Sequence, residues 1–62
     1  MKEEREGYIV EYVSLGNSVK VTAIDTITAR EVCIVGSRKA PPKQLADVAI
    51  RKLKYVIDRD GE

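Results

Sequence analysis

The sequence predicts an α+β fold in which a three-stranded antiparallel β-meander is followed by one C-terminal amphipathic helix, packed on one face of the sheet (βββα). Three runs rich in Val, Ile and Thr follow one another between residues 8 and 36, separated by short turn-forming segments. Beyond residue 42 the apolar residues instead recur every three or four positions, as they do along one side of a helix. A chain of 62 residues has room for one such domain.

The first six residues, MKEERE, are predicted to form a disordered charged tail. Five of the six are charged, so this segment offers almost nothing to bury. The single βββα domain is then expected to span residues 7–61.

The three strands are predicted at residues 8–15, 18–25 and 30–36. Gly16-Asn17 separates the first two strands and can supply the positive φ that a two-residue hairpin turn requires. A longer turn at residues 26–29 leads into the third strand. This order of short connections predicts a meander.

The helix is predicted to begin at Pro42, a first helical position where the missing N–H is harmless, and to stop at Gly61. On a helical wheel its apolar residues occupy an arc of about 140°. This stripe is expected to pack on the sheet and consists of Leu45, Ala46, Ala49, Ile50, Leu53, Val56 and Ile57. Val48 and Tyr55 flank it.

The turns fix which side chains share a face of the sheet. A two-residue loop pairs Leu15 with Ser18, and a pairing of Asp25 with Arg30 sets the second hairpin. Because side chains alternate between faces, the face expected to meet the helix holds Tyr8, Val10, Tyr12, Val19, Val21, Ala23, Val32 and Ile34. The other face is mixed, but six of its ten residues are apolar: Ile9, Val13, Leu15, Ile24, Cys33 and Val35.

The apolar second face predicts self-association. Scattered exposed Val and Ile are common on protein surfaces, yet the solvent face of a two-layer sheet is usually more polar than this one. A chain of this size is also marginally stable without a staple or a partner. We therefore expect a homodimer or other homo-oligomer, formed by sheet faces, strand edges or exchange of an element, with another protein as a further possible partner. The face is predicted to act as one patch, and Tyr55 with Val48 are additional candidate contacts.

Basic residues gather near the start of the helix. Residues 38–54 contain six bases and one acid, whereas the first eleven residues contain two bases and four acids. Arg38, Lys39 and Lys43 are candidate contacts for an anion or a nucleic acid at the helix N-terminus. The alternative function is therefore a nucleic-acid- or anion-binding module. It is the weaker prediction because the bases form no single stripe and no aromatic platform accompanies them.

Catalysis has no evident basis in this sequence. The chain has no histidine and a single cysteine, Cys33, which lies mid-strand with no neighbouring base. We expect no enzyme, no catalytic residue, no metal and no cofactor. No apolar run reaches the roughly 18–20 residues of a membrane span, and MKEEREG is too charged for a signal peptide. With a lone thiol, these features predict a cytoplasmic protein that does not bind membranes.

Two long segments, VSLGNSVKVTAIDTITAREVCIVG and QLADVAIRKLKYVI, resemble a family of short uncharacterised bacterial proteins, known mainly from alphaproteobacteria. The most specific parts are VKVTAID (19–25), EVCIVG (31–36) and RKLKYV (51–56). The resemblance implies a compact domain of this size in a bacterial cytoplasm, and it carries no assigned activity. The family commonly has glycine near the position of Ala29, where this sequence departs from it.

Overall fold

A computed structural model describes residues 2–60; Met1, Gly61 and Glu62 lie outside the described residues, and with them the predicted glycine stop. The elements in chain order are β1 (Lys2–Arg5), β2 (Tyr8–Leu15), β3 (Ser18–Asp25), β4 (Glu31–Ser37) and α1 (Pro42–Asp60). The strands form one antiparallel sheet in the order β1-β2-β3-β4, and α1 packs over β3 and β4.

The predicted three-stranded sheet is wrong, because the sheet has four strands. The additional strand, β1, comes from the charged segment that we predicted to be a disordered tail, so the sheet begins before residue 7. β1 pairs with β2 from Lys2 opposite Glu11 to Arg5 opposite Tyr8. Charged side chains have low β-propensity, and for that reason the segment gave no strand signal.

The turn between β1 and β2 explains how the charged segment comes to pair. Glu6 and Gly7 both have positive φ, 51° and 86°, as in the two-residue type I′ turn that matches the twist of a hairpin. Arg5 and Tyr8 pair on either side of this turn. Local turn geometry, rather than burial of apolar side chains, therefore brings β1 onto the sheet.

Both predicted hairpin registers are confirmed. Leu15 lies opposite Ser18, and Gly16 alone has a positive φ, 62°, in that turn, as in a type II′ turn. In the second hairpin the backbone N–H of Asp25 donates to the carbonyl of Arg30 at 2.8 Å. The two faces of the sheet are therefore composed as the sequence predicted.

The core lies between α1 and the middle strands. Its buried residues are Val10, Val21, Ala23, Leu45, Ala46, Ala49, Ile50 and Leu53, which confirms the helix-facing side of the sheet and most of the helical stripe. Three of these eight residues are alanines, so the helix approaches the sheet closely. Leu45 packs directly on Gly36, where an added Cβ would lie 2.5 Å from one of its methyl carbons.

The turn between β3 and β4 is held by Asp25. Its carboxylate accepts a hydrogen bond from the backbone N–H of Ile27 at 2.8 Å, and its carbonyl accepts one from the N–H of Ala29. Ala29 adopts a φ of 63°, a left-handed conformation that costs alanine free energy and costs glycine very little.

We expect Ala29→Gly to raise the free energy of unfolding by about 0.5–1 kcal/mol, because it relieves the left-handed strain at this position. The matched control is Ile27→Gly, which should lower stability, since Ile27 is 91% exposed, its φ is not positive and glycine there mainly adds freedom to the unfolded chain. Urea unfolding at one fixed protein concentration measures both. An Ala29→Gly protein that unfolds at lower urea than the parent would contradict this account of the turn.

Candidate interaction surface

The face of the sheet opposite α1 is the main candidate surface, and we call it the open face. All six apolar residues predicted to form a self-association face lie on it. Val35, Leu15 and Val13 are 66%, 51% and 46% exposed, which is high for large apolar side chains. Cys33 is also exposed, whereas Ile9 and Ile24 are half-buried.

The six residues do not form one continuous patch as predicted. The register places Ile9 directly opposite Ile24, whereas Lys20 lies between Val13 and Val35 in the next strands. The apolar residues therefore stand in three pairs, Ile9 with Ile24, Val13 with Leu15, and Cys33 with Val35. These pairs surround a polar centre made by Glu11, Lys20 and Thr22.

On the β1 side of the domain, polar contacts join the strands β1 and β2 to the helix. The guanidinium of Arg5 pairs with the carboxylate of Asp47 on α1. The ammonium of Lys54 lies 5.7 Å from the ring centroid of Tyr8, a cation–π distance. These contacts occupy the helix flank that faces β1 and leave little apolar surface there.

Tyr12 adds a further contact on the same side. Its hydroxyl donates to a carboxylate oxygen of Glu3 at 2.8 Å, and the carbonyl of Pro42 lies 3.4 Å away. Partial burial raises the pKa of Tyr12 to about 12, helped by this hydrogen bond and by the negative charge of Glu3, while Arg5 opposes the shift.

On the β4 side, the helix has one lysine contact with the sheet and two exposed apolar side chains. The ammonium of Lys52 on α1 reaches the backbone carbonyl of Cys33 on β4, at 3.5 Å. Val48 and Tyr55, one turn before and almost one turn after Lys52, are 42% and 64% exposed. The sequence predicted Val48 and Tyr55 as flanking residues, but it could not show that Lys52, which lies between them, reaches β4.

The three predicted basic contacts have different neighbours. Arg38 donates from its guanidinium to the carbonyl of Gly16 at 3.0 Å, so it holds the β2–β3 turn. Lys39 lies exposed in the same loop. Lys43, in the first turn of α1, borders a surface hollow with Arg5 and Tyr12. No observation therefore favours a shared anion site made by these three residues.

Residues 2–60 contain neither a metal-binding cluster nor a membrane-spanning helix. That range contains no cluster of three or more His, Cys, Asp or Glu side chains that could hold a metal ion. The described helix is not apolar enough along its length to cross a membrane.

Comparison with known proteins gives one match. The family model for a domain of unknown function, DUF6898, matches residues 5–60, which is most of the chain. No curated protein and no solved structure matches the chain.

The contact between Tyr12 and Glu3 predicts a specific pH dependence. The pKa of Tyr12 in the folded protein, about 12, lies above the ordinary value of 10.0, so the folded state holds the phenolic proton more tightly than the unfolded chain does. The resulting stabilisation is complete below about pH 10 and is lost as the pH rises from about 10 to 12.

We expect Glu3→Gln to lower the pKa of Tyr12 part of the way towards 10.0, because burial remains while the negative charge is removed. Ultraviolet titration of the tyrosines measures this, and Tyr12→Phe identifies the signal that belongs to Tyr12. Glu4→Gln is the matched control, since Glu4 lies on the opposite face of β1. Equal effects of the two glutamine substitutions would contradict the assignment.

Proposed function

The chain belongs to the DUF6898 family of domains of unknown function, and we propose that it is a small, non-enzymatic protein-interaction module that self-associates through the open face. The observation that carries the proposal is the exposure of Val13, Leu15 and Val35, between 46% and 66%, on a face that α1 does not cover. Large apolar residues gathered on one exposed surface are typical of protein–protein contacts. The proposed occupant of this face is a second copy of the chain.

The size of the open face supports a second copy. At strand spacings of about 4.8 Å and a rise of about 3.4 Å per residue, the four strands present a flat area of about 450 Å². Two copies would bury about 900 Å² before the relief of the side chains is counted, which is near the lower limit of about 1,000 Å² for a biological interface. The small core agrees with the same proposal, since a chain of this size is marginally stable by itself and a partner would add buried surface.

The charges on the open face also favour a second copy. The face carries Lys20 and Glu11 within its polar centre, and Lys2, Glu4 and Glu31 lie around that centre. A two-fold contact places different residues of the two copies opposite each other, so Lys20 of one copy can meet an acid of the other. Such a surface is complementary to itself rather than to a partner of one charge sign.

The same proposal places the protein in a bacterial cytoplasm. The sequence resemblance described above implies that source and compartment. An exposed free thiol, Cys33, suits a reducing compartment, where it remains reduced.

We expect the purified protein to dissociate on a hundredfold dilution in analytical ultracentrifugation, and Leu15→Lys or Val35→Lys to weaken its association about tenfold or more. Each substitution places a charge in one of the apolar pairs of the proposed contact, where it must be desolvated. Ile27→Lys is the matched control, because Ile27 is 91% exposed at the β3–β4 turn, off the open face. Lys54→Glu, on the helix, should also leave association unchanged.

Circular dichroism of each variant shows whether it is folded. A folded monomer at every concentration would reject self-association and would make another protein the partner to seek. An oligomer that all the variants form as the parent does would reject the open face as its interface.

A further inference from the structure

The two edges of the sheet are protected very differently. The outer edge of β1 is short, and all four of its residues are charged, which discourages pairing with another strand. β4, at the other edge, has seven residues, EVCIVGS, with Glu31 as its one charged residue and no proline. An edge of this kind is a template for strand addition.

The hydrogen bonds of β4 show which of its backbone groups face outward. The N–H of Arg38 donates to the carbonyl of Asn17, and the N–H of Asp25 donates to the carbonyl of Arg30, so even-numbered residues bond to β3. The backbone groups of Cys33 and Val35 therefore point away from the sheet. The contact of Lys52 with the Cys33 carbonyl agrees with this direction.

The helix flank above this edge is accessible and carries both apolar and basic side chains, with the guanidinium of Arg59 6.0 Å from the ring centroid of Tyr55. Val48, Lys52 and Tyr55 follow one another at spacings of four and three residues, so they share one side of α1. Because the side chain of Lys52 reaches the carbonyl of Cys33, this side of α1 is turned towards the outer edge of β4. Val48 and Tyr55 thus add two exposed apolar side chains to the side of α1 that is turned towards the outward backbone groups of β4.

We infer that β4 pairs with β4 of a second copy, antiparallel about a two-fold axis, through a contact separate from the open face. The inference rests on the proposed self-association and assigns it a second surface. The helix packs over β3 and β4, so its axis lies about one strand spacing from the two-fold axis. The two helices would then run about 10 Å apart, the distance at which helices pack.

This distance makes a second copy a better occupant than an extended peptide from another protein. In the two-fold arrangement Val48 of one helix meets the region of Tyr55 in the other, so both exposed apolar side chains are covered. A peptide added to β4 would satisfy the backbone groups of Cys33 and Val35 but would bring no helix to the flank.

Lys52 opposes this pairing. Its ammonium occupies the outward carbonyl of Cys33. In the paired form two such ammonium groups would also lie near the two-fold axis, where like charges repel. A lysine at a sheet edge is a common protection against strand addition. The contact is therefore weakened by Lys52 and strengthened by its removal.

The test is sedimentation of Leu15→Lys protein, in which the open face is disabled, at concentrations up to about 1 mM. Adding Lys52→Ala should tighten dimerisation about threefold or more, and adding Tyr55→Asp should weaken it about tenfold. Lys43→Ala is the control for Lys52→Ala, because it removes a lysine charge from another side of the helix. Val13→Asp is the control for Tyr55→Asp, because it introduces an acid on the open face instead of the helix flank. Both controls should leave the dimer unchanged.

Amide hydrogen exchange of the unaltered protein gives a second readout that needs no variant. Pairing of β4 protects the outward amides of Cys33 and Val35 as the protein concentration rises, whereas association through the open face leaves them exchanging.

Three results would overturn the inference: Leu15→Lys protein that stays monomeric with and without Lys52→Ala, a dimer indifferent to Tyr55→Asp, or outward amides whose exchange does not depend on concentration. If the open face is not an interface but β4 pairing is correct, the sedimentation results differ from these. In that case Leu15→Lys sediments as the parent does, while Tyr55→Asp still dissociates the dimer.

Discussion

The structure depends on the packing of one helix against one face of a sheet. Val10, Val21 and Ala23 supply the sheet side of this contact, and Leu53 with the alanines of α1 supplies the other. Because the side chains of a strand alternate, every apolar residue that this contact uses has a neighbour pointing the other way. The open face is thus an unavoidable product of a two-layer fold with a single helix, and its composition decides whether the domain remains alone.

The sequence predicted the part of the fold that apolar patterning specifies. The registers of both later hairpins follow from where Gly16 and Asp25 fall, and the helical stripe follows from its period. The strand β1 escaped prediction because its residues are charged, and its pairing depends on the turn at Glu6-Gly7. A glutamate with a positive φ carries little signal in a sequence.

The candidate surfaces, too, could be predicted from the sequence only in part. The alternation of side chains along each strand predicted which residues lie on the open face. The position of Lys20 between Val13 and Val35 became visible only from the pairing of β2, β3 and β4. The surface at the β4 edge could be recognised only once the orientation of α1 on the sheet was known. The contact of Lys52 with Cys33, together with those of Asp47 and Lys54 on the opposite flank, shows which side of α1 is turned towards β4. A helical wheel cannot show this, because it contains no information on the sheet.

The order β1-β2-β3-β4 has a consequence for how the chain folds. Each strand pairs with the next one in sequence, so the sheet can form by a succession of local hairpins without closing a long loop. The ion pair between Arg5 and Asp47 joins residues 42 positions apart and forms only when the helix docks. Pairing of the strands therefore needs only contacts between neighbouring segments, whereas docking of the helix has to bring together residues that are far apart in the sequence.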